Sequence, residues 1–177
     1  MNTKDLEQRY GKAIAAHKAG RIGEAEGLYT QILKLVPDAD AVHTNMAALQ
    51  YGKGNFAKAL IHVDKALKVN PVNIDAVINR ANILLALERL PAAQEAFELA
   101  LRLDARNPNS HYNLGNLHFK NGDLALAEAS FRRALDLKPD MYQAAYNLGN
   151  VLVELQRHAE ATREYERALI VAPAHEG

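Results

Sequence analysis

Ala25, Ala59, Ala93, Ala127 and Ala161 stand 34 residues apart, and Leu33, Leu67, Leu101, Leu135 and Leu169 keep the same interval. Tyr29, Val63, Phe97, Phe131 and Tyr165 form a third column in that register, large and mostly aromatic. Pro37, Pro71, Pro139 and Pro173 form a fourth, missed only at Ala105. A fixed period of this length means one supersecondary unit used repeatedly, each copy burying its apolar face against its neighbours. The units run 6–39, 40–73, 74–107, 108–141 and 142–175.

Inside each unit two runs of apolar residues recur at helical spacing, and a short break separates them. Gly20, Gly54 and Gly122 occupy equivalent places in that break. Glycine there takes the left-handed conformation that ends a helix. Glu88 and Gln156 replace it in the third and fifth units, so those two turns are expected to carry strain or another cap. The proline closes the second helix. Each unit is therefore helix A, tight turn, helix B. The small residues Ala13, Ala47, Ala81, Gly115 and Gly149 lie in helix A, where they let the hairpin close; the all-alanine column of helix B is their expected neighbour.

The fourth unit reads Tyr112-Asn113-Leu114-Gly115-Asn116 with Gly122, Ala127, Phe131, Ala134 and Pro139 behind it. The fifth reads Tyr146-Asn147-Leu148-Gly149-Asn150 with Ala161, Tyr165, Ala168 and Pro173. This pattern resembles the tetratricopeptide repeat over residues 6 to 175. The resemblance implies an all-α fold, a right-handed α-solenoid of antiparallel helix hairpins forming one domain over 1–177, with the A helices lining a concave groove. It implies a scaffold for protein–protein interaction rather than an enzyme.

On a helical wheel the A-helix positions 4, 7, 8 and 11 pack, and positions 2, 5, 6, 9, 12 and 13 face the groove. Position 6 carries Asn45, Asn79, Asn113 and Asn147, and position 9 carries Asn82, Asn116 and Asn150. An amide offers one acceptor and two donors, so a row of them can hold the backbone of an extended chain. Nucleocytoplasmic N-acetylglucosaminyltransferases, in the same family, use such a ladder. The plainer reading is that these asparagines are solvated or tie neighbouring repeats together. Tyr51, Tyr112, Phe119 and Tyr146 join them as candidate peptide-binding residues, the alternative being that the aromatic rings only cover seams. The basic residues that would grip a chaperone's C-terminal carboxylate are missing beside Asn109, Asn113, Gln143 and Asn147, which disfavours that mode.

Other chemistries find little support. The chain has 21 basic and 21 acidic residues, so no basic excess draws it to nucleic acid. It has no cysteine, which removes disulfides and thiolate sites and fits a cytoplasmic setting. No apolar run is long enough to span a membrane. His111 and His118 share a face of helix A4 but at packing positions, so no metal site and no cofactor are expected. Arg80 stands at a packing position occupied by Met46, Leu114 and Leu148 in other units; its stem is expected to pack while its head reaches water or an acid. Ala16-His17-Lys18-Ala19-Gly20-Arg21 also resembles the start of bacterial arms fused to glycosyl- or sulfotransferases, which leaves a recruiting arm of a larger enzyme as the alternative. At the far end, Tyr165, Ala168, Leu169 and Val171 should form an uncovered edge where a sixth unit would dock, and a homodimer or further sequence is expected to occupy it.

Overall fold

The computed structural model describes residues 3–171, so Pro173 and the residues after it lie outside the described part. Among the described residues the chain is all-α. Its helices are α1 (Thr3–Lys18), α2 (Ile22–Leu35), α3 (Asp40–Gly52), α4 (Phe56–Val69), α5 (Ile74–Ala86), α6 (Leu90–Leu103), α7 (Pro108–Asn121), α8 (Leu124–Leu137), α9 (Tyr142–Glu154) and α10 (His158–Val171).

The turn inside each hairpin follows one rule. The N–H groups of Arg21, Asn55, Arg89, Asp123 and Arg157 donate back to the carbonyls of Ala16, Gln50, Leu84, His118 and Leu152, at 2.8 to 2.9 Å. This closure requires a left-handed residue just before the donor. Gly20, Gly54 and Gly122 supply it at φ 72°, 74° and 81°. Glu88 and Gln156 adopt it too, at φ 58° and 60°. The turn geometry thus prevails over the residue, at roughly 1–2 kcal/mol for a side chain forced into that region. Between hairpins, Asn73 and Asn107 cap α5 and α7 by accepting from the backbone N–H of Ala76 and Ser110.

The chain divides into two compact units, Met1–Ala96 and Phe97–Gly177. In the first, Ala13, Ala25, Tyr29, Ile32, Val42, Met46 and Leu49 form one buried cluster, and Ala47, Ala59, Val63, Ala66, Ala76 and Ile83 another. In the second, Phe131, Ala134 and Leu135 of α8 bury with Met141, Ala144, Ala145, Leu148, Val151 and Leu152 around α9. The glycines of the small column meet the aromatic column rather than the alanines. A Cβ added to Gly115 would come within 2.7 Å of the Phe131 ring, and one on Gly149 within 2.5 Å of the Tyr165 ring. Helix A has no side chain there because helix B has a large one.

Of the two alternatives for the Arg80 head, water or an acid, the structure shows an acid: Nε donates to Asp64 Oδ1 at 2.9 Å, across from α5 to α4. His118 is buried, as a packing position requires, and burial lowers its pKa. His111 is half-buried, with Nε2 facing the Ala105 carbonyl at 3.0 Å.

Candidate functional site

In the first unit the groove face centres on Tyr10 of α1, Asn45 of α3 and Asn79 of α5. Asn45 Nδ2 donates to the Tyr10 hydroxyl at 2.7 Å. Asn79 Nδ2 donates to the Thr44 carbonyl at 3.4 Å. In the second unit Asn147 Nδ2 donates to the Tyr112 hydroxyl at 3.3 Å. All three bonds span 35 residues, one repeat plus one. Position 6 of one repeat therefore reaches position 5 of the repeat before it. Asn45, Asn79 and Asn147 thus tie repeats together within each unit, whatever else they hold.

That tie consumes part of each amide. Asn147 also donates to Asn116 Oδ1 at 2.7 Å, so both of its N–H donors are engaged and Oδ1 alone stays open. It can take a ligand's N–H but cannot also grip a carbonyl. Asn45 and Asn79 each keep one N–H and the oxygen. Asn150 Oδ1 accepts from the Tyr165 hydroxyl at 2.8 Å. Asn82 and Asn113 are half-buried on the same helical arc.

Two cavities open on these faces. One, of 280 Å³ in the first unit, is polar and brings Tyr10, Thr44, Asn45 and Asn79 beside Asn73 and Asp75. Beside it, amides from Asn70 and Asn73 donate to Asp40, and the Asn70 bond is the main reason the Asp40 carboxyl sits below its usual range. The other, of 450 Å³ in the second unit, is lined by Tyr112, Tyr142, Gln143, Tyr146, Asn147, Tyr165, Ala168 and Leu169. No charged side chain enters it.

The larger cavity joins two groups of residues that the sequence separates: the groove residues Tyr112, Tyr146 and Asn147, and the end-of-array residues Tyr165, Ala168 and Leu169. Ala168 is its buried floor at 5% exposure, while Leu169 stands 77% exposed. Val171 is half-buried and outside the cavity. Tyr146 packs against Tyr165 in a tilted arrangement, with ring centroids 5.6 Å apart. Tyr142 enters the cavity without having been singled out. Its signal lay in its own column, where Leu6, Asp40, Ile74 and Pro108 precede the one aromatic ring. Tyr51 is exposed and packs on Phe56 at 5.4 Å. Phe119 is half-buried against the second unit's core, a seam residue.

Among the described residues no group of three or more acidic or histidine side chains is placed to hold a metal ion, and no helix is long and apolar enough to cross a membrane.

Comparison with known proteins bears on the repeat and the fold. Profiles described as tetratricopeptide repeat match residues 16–77 and 112–176, and one described as TPR repeat matches 81–122. Human tetratricopeptide repeat protein 4 is 35% identical over 101 residues, 56% of this chain and 24% of that protein. The chain thus spans about a quarter of that relative's length. Among solved structures, pilF of Pseudomonas aeruginosa superposes with a TM-score of 0.87 at 17% identity, covering 97% of this chain and 78% of that one. YrrB, described as a TPR protein with an unusual peptide-binding site, superposes with a TM-score of 0.70 at 20% identity, covering 98% and 93%. Those two likenesses speak to the fold, and together with the repeat profiles they place the chain in the tetratricopeptide-repeat family.

Proposed function

We propose that the chain is a protein-interaction scaffold that holds extended peptide segments on the A-helix faces of its two units. The observation that carries this reading is the open hydrogen-bonding capacity of Asn45 and Asn79 at a cavity on the first unit's A-helix face. An N–H and an oxygen left free at one amide match one peptide unit of an extended chain. Tying Nδ2 to the neighbouring repeat orients the amide beforehand, which lowers the cost of ordering it on binding. Each contact is worth about 0.5–1.5 kcal/mol net, so a ligand must cross several repeats. The absence of cysteine fits a cytoplasmic setting for such a scaffold.

Selection of a random peptide library on the chain, with counter-selection on Asn45→Ala/Asn79→Ala, tests this. The proposal expects peptides that bind the wild type and lose at least tenfold in affinity on the double variant, whose helical circular dichroism stays intact. Peptides that bind both equally would remove the asparagines from the binding surface.

A further inference from the structure

The 280 Å³ cavity of the first unit holds one charged side chain among the described residues, that of Asp75 in the first turn of α5. Asp75 is exposed, and no described residue gives it a hydrogen bond or an ion pair. Beside the cavity the Asp40 carboxylate takes the amides of Asn70 and Asn73 at 3.1 and 3.3 Å, and both donors are neutral. Tyrosine, threonine, asparagine and alanine make up the rest of the wall. The site thus carries negative charge that none of its lining side chains balances. That charge is local, because the chain as a whole has 21 basic and 21 acidic residues.

We infer that the extended peptide held on this face carries a lysine or arginine whose cationic head enters the cavity and pairs with Asp75. The inference rests on the extended-peptide reading and adds the ligand's charge to it. Asp75 and Asn79 stand four residues apart on α5, so they share a face and lie about 6 Å apart along the helix axis. A ligand residue whose backbone is held by the Asn79 amide can lay its stem one turn back along α5 and set its head at Asp75. The flexible four-carbon stem of lysine spans that distance, and so does the fork of arginine. An acidic side chain in the same place would face like charge, which costs specificity as well as affinity.

The repeat register confines this preference to the first unit. In the fourth and fifth repeats the counterparts of Asp75 are Asn109 and Gln143. The second unit's cavity is lined by Gln143 and by no charged side chain. Asp75 also stands where an acid favours the helix dipole, a role that by itself would give a ligand no preference.

The test repeats the random-library selection on the full chain and on its Asp75→Asn and Asp75→Lys variants. Peptides that bind the wild type and are lost on Asn45→Ala/Asn79→Ala should carry lysine or arginine at one fixed position, at least threefold above the unselected library. Asp75→Lys should select aspartate or glutamate there. In one labelled peptide from the wild-type selection, replacing the basic residue by norleucine should weaken binding about two- to fivefold, as for an exposed ion pair, and less at high salt. The same replacement should change nothing on Asp75→Asn, and Asp75→Glu should restore the difference. A helix merely loosened at its start would weaken both peptides alike and would not produce this pattern. Asparagine-dependent peptides without an enriched basic residue, or a norleucine penalty that survives Asp75→Asn, would overturn the charge assignment and leave the peptide reading standing. Peptides indifferent to the asparagine double variant, or a library that yields no binder, would overturn both.

Discussion

Leu135 and Leu169 hold the same position in successive repeats, yet one is 4% exposed and the other 77%. The two ends of the repeat array differ in the same sense. At its start, the A-helix face that would meet an earlier repeat carries Asp5, Gln8, Arg9 and Lys12. At its end, the face that would meet a later one carries Tyr165, Ala168 and Leu169 beside an open cavity. A repeat array needs polar terminal faces to remain soluble and of fixed length. Among the described residues the first repeat presents such a face and the fifth an apolar seam. The lesson is that a column in the sequence reports a shared position but not a shared energy: the neighbour decides what the residue is worth.

Making the start resemble the interior breaks this contrast most severely. The triple variant Gln8→Ala/Arg9→Ala/Lys12→Leu copies Ala144, Ala145 and Leu148 of the fifth repeat onto α1. It should produce head-to-tail assemblies that grow with concentration, because heterologous contacts do not close. Light scattering across a dilution series reads this, and adding Leu169→Glu should reverse it. A triple variant that never grows would mean that the two seams are not complementary.

Within the second unit, Leu135→Ala should cost about 2–5 kcal/mol in urea unfolding, the range for a buried leucine. Leu169→Ala should stay within about 0.5 kcal/mol, as for surface changes. Equal losses would show that Leu169 is buried in solution and its seam already filled.

The glycine pair sharpens the comparison. Gly115→Ala drives a methyl into the fully buried Phe131 ring and should cost about 1–3 kcal/mol. Gly149→Ala meets the Tyr165 ring, which is half-buried at the open edge and can yield toward solvent. Its cost should be smaller by denaturant midpoint. The reverse order would place more structure over Tyr165 than over Phe131.

A subtler difference separates the first unit from the second. In repeat 2, His43 Nε2 lies 2.9 Å from the Pro37 carbonyl, which only accepts, so that nitrogen carries the proton. His43 Nδ1 then accepts from His62 Nδ1 at 2.9 Å. The ring centroids are 5.2 Å apart, close to the largest separation that N···N distance permits, so the nitrogens point at each other. Burial, then His43 and Lys65, push His62 down to about 4, against the pull of Glu26. The unfolded chain takes up this proton near the ordinary histidine value and the folded chain only near 4. Stability conferred by the neutral pair is therefore present above about 6.5 and is lost as pH falls toward 4. Thermal melts from pH 7 to pH 4 should show a shallower decline for His62→Gln than for wild type. Parallel declines would dissociate the pair from acid sensitivity.

Much of the architecture was legible in the chain because it depends on near neighbours. Helical spacing, the break in each unit and the unusual place of Glu88 and Gln156 are all local. A hairpin turn of that length has one workable backbone path, whichever residue stands in it. The candidate site was legible as a face, since position along a helix fixes direction. What each amide does on that face was not. Asn147 loses both donors to Tyr112 and Asn116, while Asn45 loses one to Tyr10. Those outcomes depend on rotamers chosen across 31 and 35 residues.

By itself, then, the sequence determined the period, the hairpins and the polar character of the first face, but not that the glycines of the small column meet the large rings. Each follows from residue size, backbone freedom and helical geometry. Only the tertiary structure decided that Arg80 meets Asp64, that His62 hydrogen-bonds His43, and that Tyr142 joins Tyr165 and Leu169 around one cavity. Such contacts join side chains from different helices. Their distances are set by how the helices pack, which a column of identical letters does not encode.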